Sequence, residues 1–214
     1  MCFNEEVSLA TYIVGVSGSA ALFAIDKKPE ALFYGTVIQM QLIEYLLWKN
    51  QDNSNETSCS TTNKNISKTG LIINHLEPVA LFAGISLFSK RKLPISVIVI
   101  TYLYIIMTMI YTLYILENYK ESPRACTVET VESSPHLHWK WNGEIYHTQF
   151  YTMFLIIIVM LSYFGLENGE INATLATAGF ITSIAIYGKK HSAGSMWCLM
   201  AAFAPWILVG IYTL

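Results

Sequence analysis

All eleven lysines and both arginines of this 214-residue chain, together with both aspartates, lie between seven apolar stretches and never inside one. Roughly 20 mostly apolar residues are what a helix needs to cross the hydrocarbon core of a bilayer. In that medium only helices and closed barrels satisfy their own backbone groups. The stretches run near Ser8 to Ile25, Ala31 to Trp48, Gly70 to Phe88, Pro94 to Leu116, Thr148 to Leu166, Ile171 to Tyr187 and Ser195 to Tyr212. The fold class that follows is an all-α integral membrane protein, a seven-transmembrane-helix bundle with residues 1–214 as one domain. Composition agrees, since 13% of residues are charged where a soluble domain has about 25%. A net charge of −2 leaves no basic field for nucleic acid, so the partner implied is the lipid bilayer. Gly18 to Ala21 would suit a signal-peptide cleavage site, but the preceding Asn4-Glu5-Glu6 lacks the basic start of a signal peptide. The first stretch is therefore expected to stay as a span.

Orientation is read from Lys and Arg in short loops. The turns after spans one, three and five carry Lys27, Lys28, Lys90, Arg91 and Lys92, against Lys189 and Lys190 in the short loop opposite. This predicts an extracytosolic N-terminus and a cytosolic C-terminus. The glycosylation sequons Asn55-Glu56-Thr57 and Asn65-Ile66-Ser67 then fall outside, in an Asn-, Ser- and Thr-rich loop from Asn50 to Ser67. Cys59 and Cys126, one in that loop and one in the loop after span four, are a candidate disulfide in an oxidising compartment; two separate thiols are the alternative.

Glu44 and Glu77 are the formally charged residues that fall inside spans. The seventh span has no lysine, which excludes a retinal Schiff base, and no arginine ladder or clamp exists for a voltage sensor or an anion carrier. Gln41, Glu44 and Trp48 recur at helical spacing on one stripe of span two, and span three holds the dense polar run Asn74, His75, Glu77, Pro78. At a 1.5 Å rise per residue, Glu44 lies roughly 6 Å below the outer boundary and Asn74 to Glu77 roughly 6 to 10 Å. His147 and Cys198 begin spans on the same side, and Cys2 lies beyond it. Carboxylate, imidazole and thiolate near one level are the ligand set of a transition metal such as zinc or copper, or an acid/base pair. Glu44 and His75 are the candidate catalytic groups, with Gln41, Asn74, Glu77, Trp48 and Cys198 as the polar surround. The bland reading is interhelical glue between Gln41, Glu44 and Asn74, with Glu77 satisfying the backbone group that Pro78 frees.

Before the fifth span, His136-Leu-His-Trp-Lys-Trp141 alternates, Asn142-Gly143 is a strong hairpin turn, and Glu144-Ile-Tyr-His147 returns. A short extracytosolic β-hairpin is expected, with His138 opposite His147. It would put His136, His138 and His147 on one face, a second candidate metal set or a solvated face without a ligand.

Met1-Cys2-Phe3, the run Gln41-Leu-Ile-Glu44-Tyr-Leu-Leu-Trp48 and Gly194-Ser-Met-Trp-Cys198 together resemble small multi-span membrane proteins of bacteria and large DNA viruses that begin Met-Cys-Phe and carry a Gln-x-x-Glu-x-x-x-Trp second helix. The resemblance carries no activity, but it directs attention to Cys2. After removal of Met1 its amine and thiolate would chelate a metal, so Cys2, His75 and Glu44 form the first candidate metal set. Three functions remain open: a membrane enzyme or metalloprotein, a channel or proton-coupled transporter with a path past Gln41, Glu44 and Glu77, and a non-catalytic envelope or receptor-like protein.

Overall fold

The computed structural model describes residues 4–51, 59–118, 126–129, 137–140, 146–187 and 193–214. Within them are nine helices, α1 (Glu5–Ala24), α2 (Lys28–Val37), α3 (Gln39–Lys49), α4 (Thr61–Phe88), α5 (Ile95–Asn118), α6 (His147–Gly165), α7 (Gly169–Tyr187), α8 (Ala193–Ala201) and α9 (Ala204–Thr213), and two short strands, β1 (Thr127–Glu129) and β2 (Leu137–Trp139). Four single helices, α1, α4, α5 and α6, and the stretch Met196–Thr213 are long and apolar enough to cross a membrane. The chain is an all-α membrane protein on this ground.

Helix starts follow local chemistry. Asn4 accepts from the Val7 amide at 2.8 Å ahead of Glu5 and Glu6, and Ser60 accepts from the Asn63 amide at 3.1 Å. Pro29 and Pro205 sit in the first turns of α2 and α9, where a missing N–H costs no helix bond. The expected second and seventh spans are each interrupted, at Ile38 and at Ala202–Phe203. In each case a tightened turn carries the chain across: the Gln41 amide bonds Ile38 O, and the Phe203 amide bonds Met200 O.

Helix α1 packs on α2, α3 and α9, and α2 packs on α4, while α6 packs on α4 and α7. Leu22, Ile38, Leu47, Leu81, Phe154, Ile157, Leu161 and Leu208 close the interior. Helix α5 touches mainly α4 and α6 and turns Ile95, Leu103, Ile106, Met109, Ile110 and Leu113 outward. Such a face is an aggregation hazard in water and an ordinary surface against lipid tails.

The two ends of the bundle differ. At one, the turns after α1, α4 and α6 meet: Lys27 pairs with Glu167, Lys28 with Asp26 at 2.8 Å, and Ser89 Oγ donates to Gly165 O at 2.7 Å. The Lys28 bond, with the charges of Lys28, Lys90 and Lys27, holds the Asp26 carboxyl below the usual carboxylate range. Lys27 does the same to Glu167, with Lys90 and Arg91 nearby.

At the other end a lid covers the bundle. Cys59 and Cys126 form a disulfide with Cα atoms 5.9 Å apart. Next to it the Asn63 side-chain amide pairs with the Thr127 backbone in both directions, at 2.9 and 3.0 Å, as a neighbouring strand would. Gln51 bonds the same strand through Thr127 O and the Glu129 amide. Trp139 lies over Gly70, where a Cβ would come within 2.8 Å of the indole ring.

Three expectations change. Residues 61–67, expected as loop, are the first turns of α4, because the Ser60 cap and the bonds of Asn63 and Ser67 to Thr127 order them. The strand at Leu137–Trp139 exists, but its partner is β1, in the register Thr127↔Trp139, Val128↔His138 and Glu129↔Leu137. His147, expected opposite His138, opens α6 instead; Asn142-Gly143 and residues 144–145 lie outside the described residues. Finally, Glu30 is as buried as Glu44 and Glu77, although it precedes the expected second span.

Candidate functional site

Pro78 organises the polar run of α4. It lacks the N–H that would bond the Asn74 carbonyl one turn back, and the side chains there turn to one another instead. Asn74 Nδ2 donates to Glu77 Oε1 at 3.2 Å, and Tyr151 Oη on α6 donates to Asn74 Oδ1 at 2.6 Å. Both ends of the Asn74 amide are thereby used, which fixes its orientation. Glu77 is fully buried, and its Oε2 has no hydrogen-bond partner among the described residues.

A second set stands on α3. Gln41 Nε2 donates to Glu44 Oε2 at 3.3 Å, and Thr11 Oγ1 on α1 lies 2.7 Å from both Gln41 Oε1 and Val7 O, so its single proton is shared between them. Gln41 and Glu44 are both fully buried, so this face of α3 points into the bundle as its stripe predicted. Trp48 sits at the lid end of the same stripe, its indole Nε1 buried and without a partner among the described residues.

His75 belongs to an aromatic wall. Its Nδ1 is 2.7 Å from Thr112 Oγ1 on α5, and its ring packs against Phe150 at 4.4 Å between centroids and stacks on Tyr111 at 5.8 Å. Glu44 thus takes a bond from Gln41 while His75 is held by α5 and α6. Trp197 packs edge-on against Phe154 and Phe180, and Cys198 beside it is buried in the same layer.

Among the described residues no group of three or more His, Cys, Asp or Glu side chains is placed to hold a metal ion. Each candidate metal set includes one residue outside them, Cys2 in the first and His136 in the second. Of the second set, His138 sits in β2 and His147 lies edge-on to Tyr151 at 6.3 Å.

No family model, curated protein or solved structure matches the chain. A carboxyl with one oxygen bonded and the other open, oriented through an amide by a phenol, can serve as interhelical glue or can give and take a proton. Nothing in residue type or spacing marks Tyr151, Thr11 or Thr112 by itself as part of this set. Depth is the one signal for the first two: Tyr151, four past His147, and Thr11, the seventh residue of α1, lie near the level of Asn74 and Glu44.

Proposed function

We propose that this chain crosses the membrane seven times, with α2–α3 and α8–α9 each forming one pass, and that it holds a buried acid/base site near its extracytosolic face. The topology places the lid and the N-terminus outside. It is supported by five apolar stretches of spanning length, by the disulfide between the two loops expected on one side, and by the meeting of Lys27, Lys28, Lys90 and Arg91 at the opposite end. Glu77 is the proton-exchanging group; Asn74 and Tyr151 orient it, and Gln41 and Glu44 line the neighbouring helix.

The observation that carries this reading is Glu77 Oε2. An intramembrane carboxyl is costly unless it is satisfied or used, and this one is fully buried with one oxygen left open among the described residues. The oxygen is the one that would hold or release a proton. The test is infrared difference spectroscopy of the whole chain in nanodiscs, with the Glu77 carboxyl band assigned by Glu77→Gln. The band is expected to exchange in D2O within minutes and to respond to external pH. A band that neither exchanges nor responds, in a chain that Glu77→Gln merely destabilises, overturns the reading. The bonding of Gln41 to both Glu44 and Thr11 favours a purely structural role for that half of the set, and Glu44→Gln is then expected to leave the Glu77 band unmoved.

A further inference from the structure

The link from α4 to α5, residues 89–94, carries the consecutive cations Lys90, Arg91 and Lys92, all exposed. Among the described residues none of them has an ion-pair partner, whereas Lys27 is paired with Glu167 and Lys28 with Asp26. Two other acids stand near this end of the bundle. Glu170, exposed in the first turn of α7, forms no ion pair among the described residues, and Glu30 is buried and takes a bond from Tyr212.

The link is tied down. Ser89 Oγ donates to Gly165 O, at the end of α6, at 2.7 Å and accepts from the Arg91 amide at 3.1 Å. Its cations stand close to the neighbouring turns. The carboxyls of Asp26 and Glu167 are held below the usual carboxylate range first by their bonded lysines and then in part by Lys90, with Arg91 adding to the effect at Glu167.

Apolar side chains flank the link on both sides. Leu87 is 70% and Ile95 80% exposed, and Phe88, Tyr163 and Phe164 are exposed beside them. In a membrane protein such side chains meet acyl chains, and no cation of the link is more than about 10 Å from them along even an extended chain. That distance keeps the cations in the headgroup layer. There a zwitterionic lipid brings its own ammonium group, while an anionic lipid brings a net negative charge to match. A guanidinium pairs with phosphate oxygens two at a time, and lysines add point charges around it. Basic clusters beside a membrane helix favour anionic lipid on this ground.

We propose that the Lys90-Arg91-Lys92 link binds the headgroup of an anionic phospholipid, with the acyl chains lying against Leu87, Phe88 and Ile95. The site requires a bilayer but not a particular orientation in it, and Glu77→Gln is expected to leave it intact.

The experiment is native mass spectrometry of the full chain in detergent, titrated in turn with dioleoyl phosphatidylglycerol and dioleoyl phosphatidylcholine. The first phosphatidylglycerol is expected to bind about tenfold or more tightly than phosphatidylcholine, since each cation near the surface is worth about fivefold. Lys90→Gln, Arg91→Gln and Lys92→Gln together are expected to remove the difference. Arg91→Gln alone is expected to lower it about fivefold, and serves if the triple variant does not fold. Lys64→Gln with Lys68→Gln, at the lid end, is expected to leave it unchanged. Equal affinity for the two lipids overturns the proposal, as does a preference that survives the changes at the link. An equal loss on changing Lys64 and Lys68 would reveal a general field instead of a site and overturns it too. Glycerol phosphate, the water-soluble part of the same headgroup, is expected to displace no lipid at equal concentration. Displacement would make the ligand a free phosphate and overturn the assignment to lipid.

Discussion

Close approach of backbones decides several residues that carry no chemistry. A Cβ on Gly84 would lie 3.0 Å from Pro29 Cα and 3.1 Å from Pro29 O, so α4 meets α2 backbone to backbone at that point. Backbone yields less readily than the end of a side chain, and small residues at such crossings are what let membrane helices pack closely. Gly84→Val is expected to destabilise the bundle by about 1–3 kcal/mol, the usual cost of overpacking. Gly35 and Gly210 have nothing within 4 Å of the same construction, so Gly35→Ala and Gly210→Ala are expected within about 0.5 kcal/mol of the parent chain. Unfolding titrations in SDS on the three variants check this, and equal effects at Gly84 and Gly35 would remove the proposed contact. The buried carboxyls were legible at this scale in two cases of three. Glu44 and Glu77 stand inside apolar runs, where a charge is conspicuous. Glu30 hides two residues after Lys28, and only the return of Tyr212 and Asn172 from distant helices shows that it is enclosed.

At the scale of elements, the helices and the lid's disulfide are legible in the sequence, and the pairing of the lid's strands is not. Apolar length marks a membrane helix, and α1, α5, α6 and α7 begin and end within three residues of the expected bounds. The single-turn interruptions at Ile38 and Ala202–Phe203 leave no trace in hydropathy, because the residues there are themselves apolar. Strand β1 is three residues long and is built by contacts distant in sequence: the disulfide, the Asn63 amide and the Gln51 amide. The Asn142-Gly143 turn drew the expected pairing of β2 toward His147, whereas the strand pairs with Thr127–Glu129. The disulfide links positions 67 apart, and closing a loop of that length is worth about 4 kcal/mol in the chain-entropy account. Cys126→Ser is expected to cost a comparable amount and to free β1 before the helices loosen. Hydrogen exchange is the measurement: amide protection at Thr127 and Trp139 should fall first, with Leu81 and Ile157 unchanged. Simultaneous loss at all four would show that the lid and bundle form one cooperative unit.

For the whole molecule, the arrangement of ends carries the functional argument. Lys27, Lys28, Lys90 and Arg91 gather at the end where the turns after α1, α4 and α6 meet, and the disulfide and both strands close the other. Lys and Arg in short loops tend to stay cytosolic and disulfides persist in oxidising compartments, which is the ground for the proposed orientation with the lid end outside. In that proposed orientation the Glu77 set would lie beneath an external lid and the buried Glu30 toward the cytosol. The first turns of α4 stand clear of the apolar stretch that begins at Gly70, and Asn65 on them is exposed roughly 7 Å beyond that boundary at 1.5 Å per residue. Ser67, the third residue of that sequon, is buried and bonded to Thr127 in the folded protein. Asn55 lies further from the boundary along the chain. Synthesis with eukaryotic microsomes is therefore expected to glycosylate Asn55 first and Asn65 less, with Asn55→Gln removing most of the mass shift. A sequon engineered between Ser89 and Leu93 is expected to stay unmodified. Modification there, with none at Asn55 or Asn65, would invert the chain in the bilayer and exchange Glu77 and Glu30 between the faces of the membrane.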